Sequence, residues 1–251
     1  MPFSSHPHRS IPTEDRISAL PDSIVSHILS FLPTKDSAAT TILSKRWKPL
    51  WRSVLDLDFD GKSFKDFNTF RHVVYSVMLS RGVAQPIRSF RFKCHIDHVL
   101  YDINDVNIFI NAAVERKTEN LELNMMCWPE DHITVKLSPS IFSCKTLTLL
   151  KLNSVVLNNL PSQVDLPLLK TLHLDLVRFM SYEEFIRFFI GCPILEELQT
   201  NDVHSVPQIT KNIPWKIQPL SNLARATVST GNLYIHFFLL SAVQILSYKL
   251  V

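Results

Sequence analysis

The chain has 251 residues, 46% of them hydrophobic, with a net charge of +3 and a pI near 8.6. So much apolar surface excludes a disordered chain, which needs low hydrophobicity and high net charge. So small a positive excess is no nucleic-acid footprint, which needs clustered charge. Four scattered glycines, Gly61, Gly82, Gly191 and Gly231, exclude the phosphate-cradling Walker and dinucleotide loops, and the G-x-S-x-G and H-E-x-x-H signatures are absent. Cys94, Cys127, Cys144 and Cys192 form no CxxC pair and read as reduced, mostly buried thiols of an intracellular protein. Residues 1–14 read as a polar, His- and Pro-rich disordered tail without the apolar core of a secretory signal.

Leu20, Ile24, Ile28 and Leu32 recur every four residues, with Val25 and Leu29 beside them, which predicts an amphipathic helix opened by Pro21 and closed by Pro33. Thr34 is expected to cap a second short helix running to Leu43, and Ser44 a third over Lys45–Trp51 that contains Pro49. Three helices this short bury only part of their apolar surface among themselves. Leu20, Pro21, Ile24, Pro33, Trp47 and Trp51 are left over, either as a partner site or as a face covered by the rest of the chain. Lys45, Arg46, Lys48 and Arg52 interleave with Trp47 and Trp51, the pattern of a single-strand nucleic-acid platform or of a helix with one basic and one aromatic face.

The stretch Asp15–Trp51, DRISALPDSIVSHILSFLPTKDSAATTILSKRWKPLW, closely resembles the F-box of plant F-box proteins, through Leu20-Pro21, the Leu32-Pro33 break and the run Leu43-Ser44-Lys45-Arg46-Trp47. The resemblance implies a trihelical module over residues 15–53 that binds a Skp-type adaptor and, through it, a cullin and its RING partner. By position it implies Leu20, Pro21, Ile24, Ile28, Pro33, Leu43 and Trp47 as adaptor contacts, some of them serving instead as internal packing, and it reduces nucleic acid to a minor reading.

Beyond the module, Leu55–Asp60 alternates strictly, as a half-buried strand does. A loose L-x-x-L-x-L pattern then returns as Ile87/Phe90/Phe92, Leu121/Leu123 with the first position lost, Leu147/Leu150/Leu152, Leu169/Leu172/Leu174, Leu195/Leu198/Thr200, Leu223/Ala226/Val228 and Ile245/Tyr248/Leu250. Its middle positions step by 31, 29, 22, 26, 28 and 22 residues, an irregular leucine-rich repeat. Helices are expected at Lys65–Ser80, at Asn104–Lys117, and after the capping box Ser181-Tyr182-Glu183-Glu184, the last ending at Gly191. The fold class is therefore mixed α/β, a small trihelical unit followed over residues 54–251 by an irregular repeat solenoid with a curved parallel sheet. LPLLKTLHLDLVRF followed by IGCPILEEL is similar to the repeats of plant F-box proteins that also carry an FBD domain. No FBD segment is found before Val251, so the sequence reads as truncated: a fragment, a splice form or a divergent member.

No catalytic constellation emerges. Cys94, His95 and His98 cluster, but zinc needs four convergent ligands, so no metal and no cofactor are expected. Glu183 and Glu184 are explained by capping, and Glu196 and Glu197 have no partner nucleophile. His173 lies between Leu172 and Leu174 and points to the opposite face of its strand. By the same parity Arg91, Glu122, Lys151, His173, Gln199 and Thr227 are expected to line one ribbon of the concave face, a candidate substrate surface or simply solvated positions. The apolar run Asn232–Val251 is broken by His236 and Gln244 and reads as a short helix and a final edge strand rather than a membrane span. The expected function is the non-catalytic substrate-recognition subunit of a Skp–cullin–F-box ubiquitin ligase in nucleus or cytoplasm, with an unknown protein target. A scaffold that binds the adaptor without degradation is the alternative, and a Ser/His hydrolase is disfavoured by the missing motifs.

Overall fold

The computed structural model describes residues 16–82, 85–96, 103–127, 137–158, 160–205, 220–229 and 245–249. The expectations for residues 1–14, for His98 and for a helix at His236–Gln244 lie outside them, as do the side chains of His95 and Cys127.

Three short helices come first: α1 (Asp22–Ser30), α2 (Thr34–Ala39) with a 3-10 turn at Thr40–Ile42, and α3 (Trp47–Ser53). Pro21 and Pro33 stand at the N-caps of α1 and α2 in extended backbone, where a missing N–H costs nothing. Thr34 is not a cap. It is the first residue of α2, and its hydroxyl accepts from the Asp58 backbone N–H at 2.7 Å. Ser44 caps nothing either, since α3 starts at Trp47 after Arg46 with no side-chain cap. Pro49 falls in the first turn of α3, among backbone N–H groups that have no intrahelical acceptor, so it does not break the helix.

The rest is one sheet of parallel strands. They are β1 (Asp56–Asp60), β2 (Ser89–Ile96), β3 (Asn120–Cys127), β4 (Leu149–Leu157), β5 (Thr171–Phe179), β6 (Glu197–Asn201), β7 (His204–Ser205), β8 (Arg225–Ser229) and β9 (Ile245–Lys249). They pair in chain order, with β7 beside β5 as the continuation of β6. Phe90, Leu121, Leu150, Leu172, Leu198 and Ala226 are register mates across six strands, as the repeat pattern requires. The last copy is shifted by two. Leu246 pairs with Ala226, and Tyr248 pairs with Val228, so Tyr248 is the third position of its repeat and not the middle one. The lost first position of the β3 repeat is Thr118, fully buried, whose hydroxyl donates to Ala113 O.

Between the strands lie α4 (Phe67–Ser80), α5 (Ile103–Glu115), a 3-10 turn at Pro139–Ser143 and α6 (Tyr182–Ile190). Helix α4 begins two residues later than expected, because Asp66 caps it by accepting from Thr69 N. The Phe70–Phe92, Phe92–Phe109 and Phe179–Phe185 ring contacts seat α4, α5 and α6 on one face of the sheet. The other face stays open and half-buried.

Asp105 ties α5 to α4, accepting from Arg71 Nη1 at 2.8 Å and from the Tyr75 hydroxyl at 2.7 Å. Burial pushes its carboxyl up, but the hydrogen bonds from Tyr75 and Arg71 and the Arg71 charge outweigh this and hold it below the ordinary 3.8. A depressed folded pKa gives stability that is full above the unfolded value and lost as pH falls through the folded one. Asp105→Asn should therefore cost about 1–3 kcal/mol at neutral pH. In urea titrations, the gap to wild type should hold down to about pH 5 and narrow below about pH 4.

Ser181 caps α6 as expected, its hydroxyl accepting from Glu184 N at 3.1 Å, while Glu184 Oε1 accepts from Leu160 N. Gly191 ends this helix at a right-handed φ of −72°, not in the left-handed cap. Its reason is space, since a Cβ there would sit 2.5 Å from Val164 Cγ1 and 2.6 Å from Val164 O. Gly191→Ala should cost about 1–3 kcal/mol by overpacking, seen as a lowered midpoint in thermal melts.

Candidate functional site

Two surfaces carry the candidate residues. The first is on the N-terminal helices. Val25 and Leu29 of α1 turn inward, which leaves Ile24, Ile28 and Phe31 on its outer side, 45%, 42% and 74% exposed. Ile42 and Leu43, in the turn after α2, are 83% and 68% exposed. Arg46 sets the position of this turn. Its guanidinium holds Asp22 at 2.5 Å and donates to the carbonyls of Ser18 and Leu20, so the Leu43–Arg46 segment lies against the start of α1. Pro21 and Pro33, before and after α1, are exposed, and Leu20 is half-buried.

Trp47 and Trp51 do not belong to this surface. At 8% and 7% exposure they are inside, in one continuous core with Val25, Leu29, Leu57 and Phe59. The rings on which a nucleic-acid strand would stack are therefore taken up by packing, and Arg46 is engaged by Asp22. Sequence reasoning left Trp47 and Trp51 open between a partner site and a covered face, and their burial favours the second. It also missed Ile42 and Phe31, whose only sequence signal is their place beside the matching positions.

The second surface is the open face of the sheet. Arg91, Glu122, Lys151, His173, Gln199 and Thr227 are register mates and form one continuous row, with Asp58 ahead of Arg91. Its charges pair across neighbouring strands, Arg91 with Asp58 and Lys151 with Glu122, both at 3.3 Å. Burial, and then the Lys151 charge, lower the His173 pKa against the opposing charges of Glu197 and Glu122. In the next row Asp175 accepts from Asn153 and Asn201, at 2.5 and 2.7 Å, and joins three strands.

Strands β4 and β5 run on past these rows, which the repeat pattern did not predict. Ser154, Leu176 and Asp202 stand side by side with φ of 56°, 52° and 48°. Each extra left-handed residue shifts the alternation by one, so Val155, Leu157, Val177, Phe179 and Val203 turn inward. Val156, Arg178, Met180 and His204 face outward along this rim.

Among the described residues no group of His, Cys, Asp and Glu is placed to hold a metal ion, and no helix is long and apolar enough to cross a membrane. Cys94, Cys144 and Cys192 are buried thiols, and burial pushes Cys192 up to about 12.

Comparison with known proteins agrees with this division. Residues 17–58 match the family model of the F-box domain, and residues 107–214 match that described as "FBD-associated F-box protein At5g56370, LRR repeats". The chain is 36% identical to the F-box/FBD/LRR-repeat protein At4g00160 of Arabidopsis thaliana, over 76% of this chain and 42% of that protein. It is 33% identical to the FBD-associated F-box protein At4g10400 of the same organism, over 94% of this chain and 56% of that protein. The chain thus spans about half the length of the curated relatives it matches. No solved structure matches it.

Proposed function

Because the chain belongs to the F-box/LRR-repeat proteins, we propose that it acts as the substrate-recognition subunit of a Skp–cullin–F-box ubiquitin ligase. The observation that carries this reading is the apolar surface of the N-terminal helices. A 42-residue unit that sends both tryptophans inward yet leaves Ile24, Ile28, Phe31, Ile42 and Leu43 in solvent has the composition of a protein-binding face. In this reading Leu20, Pro21, Ile24, Ile28, Pro33 and Leu43 meet the Skp-type adaptor, which links the chain to a cullin. Trp47 serves by holding α3 in place. The open face of the sheet, with Arg91, Glu122, Lys151, His173, Gln199 and Thr227, takes a target protein. The chain supplies no chemistry, and transfer is promoted by holding the target near the charged conjugating enzyme. The test is reconstitution of the purified chain with a Skp-type adaptor, cullin and RING partner. A stable one-to-one complex with the adaptor is the expected first result, and a chain that stays alone on gel filtration would overturn the reading.

A further inference from the structure

The rim of the sheet differs from the central row in a way that bears on what it binds. In the rows, each cation with a described side chain has a carboxylate neighbour: Arg91 with Asp58, Lys93 with Asp60, Lys151 with Glu122 and Arg225 with Glu197. A ligand that used those cations would first have to break a pair. The side chain of Arg178, exposed on the outer side of β5, has no carboxylate or other hydrogen-bond partner among the described residues. It is flanked by Leu176 on its own strand and by Met180 just past the strand's end, 50% and 42% exposed, and by Val156 in register on β4.

Leu176 is also the wrong residue for its backbone. The equivalent positions on the neighbouring strands are the polar Ser154 and Asp202, of which aspartate tolerates the left-handed region, whereas a leucine there is strained and half in water. Strained residues cluster at ligand clamps and binding sites, and here the strained leucine is exposed beside Arg178.

We propose that Leu176, Arg178 and Met180 form the primary docking point for a target protein, and that the occupant is an extended segment with an apolar residue two positions from an aspartate or glutamate. Alternate residues on β5 project about 6–7 Å apart, the same interval as residues i and i+2 of an extended partner. One apolar side chain then covers Leu176 or Met180 while the carboxylate meets Arg178. The proposal rests on the receptor reading above and names the target's chemistry.

The test is selection of random twelve-residue displayed peptides on the immobilised full chain, with and without bound adaptor. Enriched sequences should carry the apolar-x-acid or acid-x-apolar pattern. Arg178→Glu should lower affinity for a selected peptide by about tenfold and redirect selection to lysine or arginine at the acidic position. Leu176→Asn should weaken the same peptide comparably while leaving the melting temperature at or above wild type, because asparagine tolerates the left-handed backbone. Three results would overturn the proposal: selection without an acidic preference, selection unchanged by Arg178→Glu but lost with Arg91→Glu or Lys151→Glu, or loss of binding in Leu176→Asn that accompanies loss of stability. A concentration-dependent dimer abolished by Leu176→Asn would also overturn it, by assigning the patch to a second copy. Failure of adaptor binding would sink the ubiquitin-ligase reading and leave the peptide result standing.

Discussion

Trp47→Ala is expected to remove about 3–5 kcal/mol of stability, the range for emptying an aromatic site in a packed core. The loss should not stay local. Trp47 and Trp51 belong to the same continuous apolar core as Val54, Leu57 and Phe59, so the cavity opens in a core that helices and sheet share. Val54 O also accepts from Arg81, a side chain only 2% exposed at the end of α4, whose pKa burial and the neighbouring Arg116 push down to about 10. Gln85 reaches back to Arg52 O in the same region. Urea unfolding followed by far-ultraviolet circular dichroism and by tryptophan fluorescence should give one shifted transition in both signals. Early melting of the three helices with an unshifted sheet would mean that the shared core does not couple them. Loss of adaptor binding in this variant would accordingly be a consequence of unfolding and no evidence of a direct contact.

Ile24→Glu with Leu43→Glu should do the opposite. Both side chains are exposed, so the melting temperature should stay close to wild type, as exposed substitutions usually allow. Each would place a carboxylate in the middle of an apolar interface, and together they should weaken adaptor binding by a hundredfold or more, about 3 kcal/mol. Isothermal titration of the adaptor into each variant separates the two outcomes. If the double variant binds like wild type, the adaptor meets the chain elsewhere.

Much of the repeat architecture was legible because parallel strands with one buried side impose a strict alternation, and leucines at i, i+3 and i+5 mark it. The row from Arg91 to Thr227 follows from that parity alone. Where the reading failed, the cause was tertiary or conformational. Thr34, Arg46 and Gly191 act through Asp58, Asp22 and Val164, residues that no short window brings together. The switch at Leu176 has no marker, since leucine gives no hint of a left-handed backbone. In the last repeat, Ile245, Tyr248 and Leu250 imitate the motif two residues out of frame with the correct parity, so alternation alone did not expose the slip.

The bond from Asp58 N–H to the Thr34 hydroxyl occupies the outer side of β1, where a further strand would otherwise add. Helix α2 also packs on β1, so the helices meet the sheet directly at its first strand. In the proposed receptor reading the chain acts as a ruler with its zero mark at the adaptor. Four interstrand steps of ~4.8 Å put β5 roughly 19 Å from β1, and a target held at Arg178 would sit at that offset in every complex. Which of its lysines receive ubiquitin would then be decided by the target's own shape, and a spin-label pair on α1 and β5 should report a single narrow distance with or without adaptor.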